Sequence, residues 1–184
     1  MKVVSLSLGL IVPFTVSGFV AVAWAQITCT FPSVKDSCSD PQARRAIEWM
    51  APSEGGRHVL WLKTISTGAR TRLLEFDRSV DVLWSPTGRA LAVTDHAGSN
   101  DSMLWVFTGS TLMRAISVDE RLRSSLGRLP AIYNNGHRYF EAVRWMAPEV
   151  LKFRVRAYDS DPLKEYVATF RFDLAGRVSP DRTK

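Results

Sequence analysis

Apolar and polar residues alternate along several short segments of this chain, a pattern that is typical of half-buried β-strands. The clearest case is 80–84, where Val80, Val82 and Trp84 recur at every second position. Pro86 ends this segment, because proline has no N–H to donate to a neighbouring strand. We therefore predict a strand that stops just before Pro86.

A tight turn and two further strands follow this segment. The run Ser85-Pro86-Thr87-Gly88 suits a tight turn, because proline presets the backbone and glycine tolerates a positive φ. Residues 90–94 are small or β-branched, and 103–107 are apolar. The stretch 80–107 thus predicts strand, turn, strand, long polar loop and strand.

Tryptophans before prolines punctuate the chain. Trp49-Met50-Ala51-Pro52 returns as Trp145-Met146-Ala147-Pro148, and Trp84-Ser85-Pro86 is a shorter version. We expect Trp49, Trp84 and Trp145 to anchor the core rather than to stack on a ligand. One short helix is predicted at 118–126, where apolar residues have helical spacing and a glycine follows.

The segment from Trp84 to Val93 resembles the blade motif of TolB-like and WD40-like β-propellers, with Thr87 where those families usually carry aspartate. Leu60-Trp61-Leu62 followed by Ser66-Thr67-Gly68 resembles the outer strands of a TolB-like blade. The resemblance implies a blade-built domain that acts as an interaction platform.

A closed propeller needs at least four blades of about 40–45 residues each. The chain barely reaches that length and predicts too few strands. We therefore expect an all-β, antiparallel fold of two to three blade-like sheets in an open or sandwich-like arrangement.

The first 25 residues predict a secretory signal peptide. They hold one charge, Lys2, then a long apolar run, and end in Ala23-Trp24-Ala25, an A-x-A signal for cleavage before Gln26. An uncleaved membrane anchor is the alternative, because the run exceeds 20 residues. Cleavage predicts a periplasmic or secreted protein with no stable membrane span.

The expected organisation has four parts. A signal peptide occupies 1–25, a disulfide loop 26–40, a single β domain 41–178, and a flexible tail 179–184. The only two cysteines, Cys29 and Cys38, are predicted to form a disulfide, because an exported chain meets oxidising conditions.

Charge and motifs restrict the function. The formal net charge is +6, and arginine supplies 18 of the 24 basic residues, which suits carboxylates, phosphates or glycans. There is no basic run or stacking motif, so nucleic acid is not an expected partner. The phosphate-binding, dinucleotide-binding, zinc-protease and nucleophile-elbow patterns are absent. We predict no catalytic residue, no cofactor and no metal site.

The polar stretch from Asp95 to Ser102 is the first candidate for a partner-binding loop. Its side chains lie between two apolar strands, and we expect the whole stretch to protrude, because burial would leave its polar groups without hydrogen bonds. The candidate contact residues are Asp95, His96, Ser99, Asn100 and Asp101. A plain turn-rich loop that binds nothing is the alternative, because Asn and Asp favour turns without any ligand. Asp95, Asn100 and Asp101 could also approach a hard cation such as calcium, although their spacing does not fit the twelve-residue calcium loop.

The sequence predicts an exported, non-catalytic protein-binding domain, and two alternatives stay open. One is an inhibitor or immunity protein for an exported toxin. The other is a small hydrolase whose carboxylates, with Asp95, Asp101 and Glu141 as candidates, converge only in the fold. A triad of His96, Asp95 and Ser102 is disfavoured, because chain neighbours rarely face one another in that way.

Overall fold

The computed structural model describes residues 26–32, 37–52, 56–159 and 165–181. The predicted signal peptide lies outside these residues. Thirteen strands and two short helices are defined within the described ranges. The strands are β1 (Thr28–Phe31), β2 (Ser37–Ser39), β3 (Arg45–Met50), β4 (His58–Thr64), β5 (Arg70–Phe76), β6 (Val80–Trp84), β7 (Leu91–Asp95), β8 (Met103–Thr108), β9 (Arg114–Ser117), β10 (His137–Ala147), β11 (Val150–Tyr158), β12 (Glu165–Asp173) and β13 (Val178–Pro180). The helices are α1 (Val118–Leu126) and α2 (Ala131–Asn135).

The strands form three antiparallel sheets. The N-terminal sheet has the order β2-β3-β4-β5, the central sheet β1-β6-β7-β8-β9, and the C-terminal sheet β10-β11-β12-β13. The predicted all-β fold of two to three antiparallel sheets is confirmed. Within the described ranges, no helix has the length and apolar character needed to cross a bilayer.

The central sheet is covered on both faces. Val82, Trp84 and Val93 point into a core shared with the N-terminal sheet, while Leu83 and Ala92 point into a core shared with the C-terminal sheet. Every residue of β7 is buried. Successive side chains of a strand point to opposite faces, so a strand between two cores has to be apolar at nearly every position.

The predicted turn after β6 forms as its residues dictate. Gly88 has φ of 65°, and its N–H donates to the Ser85 carbonyl at 2.8 Å. A Cβ at this position would lie 2.7 Å from Asp40 Oδ2 and 2.6 Å from Gln42 Oε1. Only glycine satisfies both the backbone conformation and this close approach.

Helix α1 occupies the predicted residues 118–126 and is confirmed. Ser117 caps it by accepting a bond from the Glu120 N–H at 3.3 Å, and Gly127 follows it with φ of 64°. Val118 and Leu122 are buried in the core beneath the C-terminal sheet. Local capping and the apolar face therefore agree on the same helix.

Both cysteines lie in paired strands. Cys29 in β1 and Cys38 in β2 form a disulfide, with the Cα atoms 6.3 Å apart. β1 pairs with β6 at the edge of the central sheet, and β2 pairs with β3 in the N-terminal sheet. The segment expected to be a loop ahead of the β domain thus supplies one strand to each of two sheets and links them covalently.

The C-terminal residues also take part in the fold. β13 pairs with β12, so paired backbone extends to Pro180, past the predicted boundary at 178. The Asp181 side chain is 1% exposed and lies 2.7 Å from Lys152 Nζ and 2.8 Å from Arg171 Nη2. These contacts tie the first residues of the expected flexible tail to the sheet.

Of the three tryptophans expected to anchor the core, Trp84 is the most deeply buried. Trp84 is fully buried and its indole N–H donates to the Cys38 carbonyl at 3.2 Å, while Trp145 is 3% exposed and donates to the Leu83 carbonyl at 3.2 Å. Trp49 is only partly buried. The two buried indoles therefore each bind one sheet to the next through a hydrogen bond as well as through packing.

Replacing Trp84 with alanine is expected to lower the free energy of unfolding by roughly 3–5 kcal/mol, because it leaves a cavity between two sheets and an unpaired carbonyl. Trp84→Phe keeps most of the apolar volume and should cost about 1–2 kcal/mol. Urea unfolding followed by tryptophan fluorescence measures both. Equal, small effects from the two variants would show that Trp84 does not anchor the core.

Candidate functional site

The predicted binding loop lies along β10 of the C-terminal sheet. The Arg138 N–H donates to the Asn100 carbonyl at 3.1 Å, and the Ser102 N–H donates to the Arg138 carbonyl at 2.9 Å. Asp101 and Arg138 thus form an isolated parallel bridge between the loop and the strand. The loop is therefore held by backbone hydrogen bonds and not only by side chains.

The two ends of the stretch are buried, so the prediction that all of it protrudes is wrong. Asp95 is 4% exposed and Ser102 is 2% exposed. The Ser102 hydroxyl donates to the Phe140 carbonyl at 2.8 Å and accepts from the Phe140 N–H at 2.8 Å. Polar residues are buried here because the facing strand supplies their hydrogen-bond partners; Ser99 and Asn100 stay exposed.

His96 is fixed against a carboxylate of the central sheet. Its Nε2 lies 2.8 Å from Asp81 Oδ2, and the Thr30 hydroxyl donates to Asp81 Oδ1 at 2.6 Å. The backbone N–H of His96 donates to the Ser79 carbonyl at 2.9 Å. The imidazole is about 39% exposed, so it is oriented by its partner and still reaches solvent.

A cleft opens between this loop and the outer face of β10 and β11; we call it the loop cleft. It has a volume of about 290 Å³. A shallower depression of about 440 Å³ continues from it and shares Asp81, His96 and Tyr139. The residues that line the loop cleft are Asp81, His96, Ser102, Tyr139, Phe140, Glu141, Arg154 and Arg156.

An aromatic ladder forms the floor beside the cleft. The Tyr139 and Tyr158 rings are stacked with centroids 5.7 Å apart, and His137 stacks on Tyr158 at 4.9 Å. The Tyr139 hydroxyl donates to the Ser99 carbonyl at 2.7 Å and lies 3.1 Å from the Tyr158 hydroxyl, and this second contact raises the pKa of Tyr139. The ladder connects the loop to two strands of the C-terminal sheet.

Arginines flank the ladder on the exposed face of β11. Arg154 pairs with Glu141, its Nε lying 3.0 Å from Glu141 Oε2. Arg156 pairs with Glu165, and its guanidinium lies over the Tyr158 ring at 5.3 Å. The cleft therefore offers aromatic surface, paired cationic groups and one oriented histidine.

The hypothetical triad of His96, Asp95 and Ser102 is not assembled. His96 pairs with Asp81, and both hydrogen-bonding functions of the Ser102 hydroxyl are taken by the Phe140 backbone. A serine held in this way is not available as a nucleophile beside the imidazole.

The three carboxylates considered for a hydrolase have separate charged neighbours. Asp95 faces Arg57 and Asp77, Asp101 faces Arg138 and Asp119, and Glu141 pairs with Arg154. Only Glu141 lines the loop cleft. Among the described residues, no group of three or more histidine, cysteine, aspartate or glutamate side chains is arranged to hold a metal ion.

Sequence reasoning found the loop but missed the side chains that face it. Tyr139, Arg154 and Arg156 stand on strands more than 30 residues later in the chain. Asp81 did carry a signal, because it is a charged residue inside an otherwise apolar strand. No pattern along the chain indicated that β10 would pack beside this loop.

Asp95 is a buried carboxylate at the end of β7. Its pKa is raised to about 6; burial is the largest cause and Asp77 adds to it, while Arg57 and His96 oppose the rise. Its Oδ1 atom is buried without a hydrogen-bond partner among the described residues. Ionised Asp95 therefore destabilises the folded state, and its side chain is too buried to contact a partner.

Comparison with known proteins finds a partial likeness to a solved structure. The chain matches no protein-family model, and no curated protein sequence matches it. It is similar to a structure described as "putative TolB" from Agrobacterium tumefaciens, with 14% identity and a TM-score of 0.41. The match covers 78% of this chain and 48% of that one, so the chain spans about half the length of the known structure. The TolB-like and WD40-like assignments stay predictions.

The Asp95 environment predicts a pH-dependent gain in stability for Asp95→Asn. Since the folded-state pKa lies above the unfolded value near 4, Asp95 contributes stability below about pH 4 that is lost as the pH rises through 6. Asp95→Asn changes the free energy of unfolding relative to the unsubstituted protein. This change should be more favourable at pH 8 than at pH 4, by on the order of 2–3 kcal/mol.

Chemical unfolding at the two pH values measures this difference. Glu120→Gln, which removes an exposed carboxylate, is the control for charge loss at the surface. An Asp95→Asn effect of the same size at both pH values would contradict the burial argument.

Proposed function

We propose that this chain is an exported, non-catalytic protein-binding domain and that the loop cleft is its binding surface. The observation that carries the proposal is the backbone attachment of the loop to β10, which holds exposed Ser99 and Asn100 at the rim of a cleft lined by His96 and Tyr139.

A rigid rim favours binding because little conformational entropy is lost when the partner docks. The loop has backbone bonds to β10 on both sides of Asp101, and Tyr139 fastens its tip through the Ser99 carbonyl. A loop held in this way presents the same surface before and after binding.

The chemistry of the cleft suits a protein partner. Tyrosine and arginine are enriched at protein interfaces, since each combines a large contact surface with directional hydrogen bonds. Tyr139 and Arg156 supply such groups, and Asp81 with His96 adds a polar pair that is about 40% exposed. The cleft is also small, at about 290 Å³, which suits one or two inserted side chains.

Export is the second part of the proposal. The leader 1–25 predicts cleavage before Gln26, and a disulfide between the only two cysteines is characteristic of an oxidising compartment. Gln26 itself bonds the backbone of Trp145 through both its amide atoms, at 3.0 and 3.1 Å. A mature chain that started at Gln26 would therefore have its first side chain fixed to β10.

The alternatives do not gain specific support. The described residues offer no assembled nucleophile and base for the hydrolase hypothesis, and nothing in the cleft singles out a toxin as the partner. The protein-binding proposal therefore remains at the level of a partner class.

The proposal predicts that a photo-crosslinking amino acid at Asn100 captures a partner in the native compartment. The same probe at Thr67, exposed in the turn between β4 and β5, is the matched control. Replacing the whole loop is a poorer test, because it would remove backbone bonds to β10 as well as the contact surface.

The capture should depend on the cleft. Tyr139→Ala in the Asn100 probe background should reduce the crosslinked product several-fold, with the fold verified by circular dichroism. Equal capture from positions 100 and 67, or capture that is insensitive to Tyr139→Ala, would show that the binding surface lies elsewhere.

A further inference from the structure

A second cleft lies where turns of all three sheets meet. It has a volume of about 550 Å³, and we call it the arginine cleft. Four arginines and a single glutamate are its charged residues. Its lining consists of Arg44, Arg45, Arg89, Thr108, Gly109, Ser110, Arg114, Glu149 and Leu174.

The arginines come from distant parts of the sequence. Arg44 and Arg45 lie at the start of β3, Arg89 follows the turn after β6, and Arg114 begins β9. Glu149 belongs to the turn between β10 and β11. Because the strands are antiparallel, alternate turns return to the same end of a sheet, and that brings these residues together.

Two of the arginines are fixed by the protein. Arg44 Nη2 donates to the Thr87 carbonyl at 3.0 Å, and its Nε lies 3.7 Å from Asp40 Oδ2. Arg45 Nη2 donates to the Ser110 carbonyl at 2.6 Å. Arg45 Nη1 is buried and has no hydrogen-bond partner among the described residues. Arg45 therefore contributes to the cleft a guanidinium that the protein positions and that pairs with no carboxylate of the described residues.

The other two arginines have no partner in the described part of the chain. Arg89 and Arg114 are exposed and take part in no ion pair or hydrogen bond through their side chains there. Most other arginines in the described ranges pair with carboxylates, as Arg57 does with Asp77 and Arg154 with Glu141. Since Asp40 pairs with Arg44, the excess positive charge of the arginine cleft comes from Arg45, Arg89 and Arg114.

We propose that the arginine cleft binds an acidic segment of a protein partner, with carboxylates held by Arg45, Arg89 and Arg114. Guanidinium groups bind carboxylates through paired, charge-assisted hydrogen bonds. The inference rests on the proposed function in one respect, that the partner is a protein. The site is distinct from the loop cleft, since the two share no lining residue.

The size of the cleft favours an extended ligand over a single small anion. A volume of about 550 Å³ falls in the range of sites for sizeable ligands, and one isolated oxyanion would fill little of it. A chain that carries carboxylates at intervals can engage guanidinium groups from three turns at once. Glu149 at the same cleft would repel the ligand and so limit which acidic segments fit.

The test is direct binding to the purified protein. A fluorescent peptide in which glutamate alternates with glycine should bind, while the matching glutamine–glycine peptide should not, as measured by anisotropy at low salt. Affinity should fall as salt is raised, because exposed charges are screened.

Charge-reversal variants locate the site. Arg89→Glu combined with Arg114→Glu should weaken binding of the acidic peptide by about tenfold or more, because charge-assisted hydrogen bonds are lost. Both residues are exposed and unpaired, so the fold should be kept. The matched control is Arg128→Glu with Arg144→Glu, two exposed arginines outside the cleft with the same change in net charge.

The outcomes are distinct. A loss confined to the cleft variant supports the proposal. Equal losses in both variants would mean that the peptide responds only to overall charge, and would overturn it. Binding of pyrophosphate that depends on Arg89 and Arg114, without binding of the peptide, would also overturn it and assign a phosphate site. None of these results depends on the loop cleft, so failure here and failure of the proposed function can be told apart.

Discussion

The fold depends on the burial of the central sheet between two others. β6 and β7 place Val82, Trp84 and Val93 in one core and Leu83 and Ala92 in the other, so both faces of the sheet are dry. A sheet of this kind is stable only if a second sheet covers each face, because its apolar side chains would otherwise meet water. The disulfide and the indole hydrogen bonds of Trp84 and Trp145 reinforce these two contacts at the sheet boundaries.

Because both faces of the central sheet are covered, the two clefts lie at the ends of its strands. The loop between β7 and β8 leaves one end and contributes to the loop cleft, while the turns after β6 and β8 leave the opposite end and contribute to the arginine cleft. The two ends differ in chemistry. One offers tyrosines, a histidine–aspartate pair and arginines already paired with carboxylates, and the other offers Arg45, Arg89 and Arg114, which pair with no carboxylate of the described residues. A rigid scaffold with binding groups at its ends is a common arrangement in β-proteins.

The loop cleft shows how a polar stretch can be buried without cost. Ser102 gives both of its hydroxyl functions to Phe140, and Arg138 exchanges backbone bonds with Asn100 and Ser102. Asp95 is the exception, since burial raises the pKa of its carboxyl to about 6. The stretch is thus fully hydrogen-bonded at Ser102, whereas at Asp95 it buries a carboxylate whose ionised form is destabilising.

Much of the local structure could be predicted from the order of residues along the chain. The pattern of apolar residues predicted β6, β7 and β8, Pro86 and Gly88 predicted the turn, and the apolar spacing before Gly127 predicted α1, because each depends on neighbours along the chain. The only two cysteines predicted the disulfide, whereas β1 and β2 lie in a segment expected to be a loop. The packing of the sheets, and therefore which polar groups meet, could not be predicted in this way. Arg138 faces Asn100 and Arg45 reaches Ser110 across 65 residues of sequence, and no periodicity records such contacts. The buried ends of the 95–102 stretch and both clefts follow from that packing, for the physical reason that hydrogen bonds and charge pairs between sheets depend on position in space and not on order along the chain.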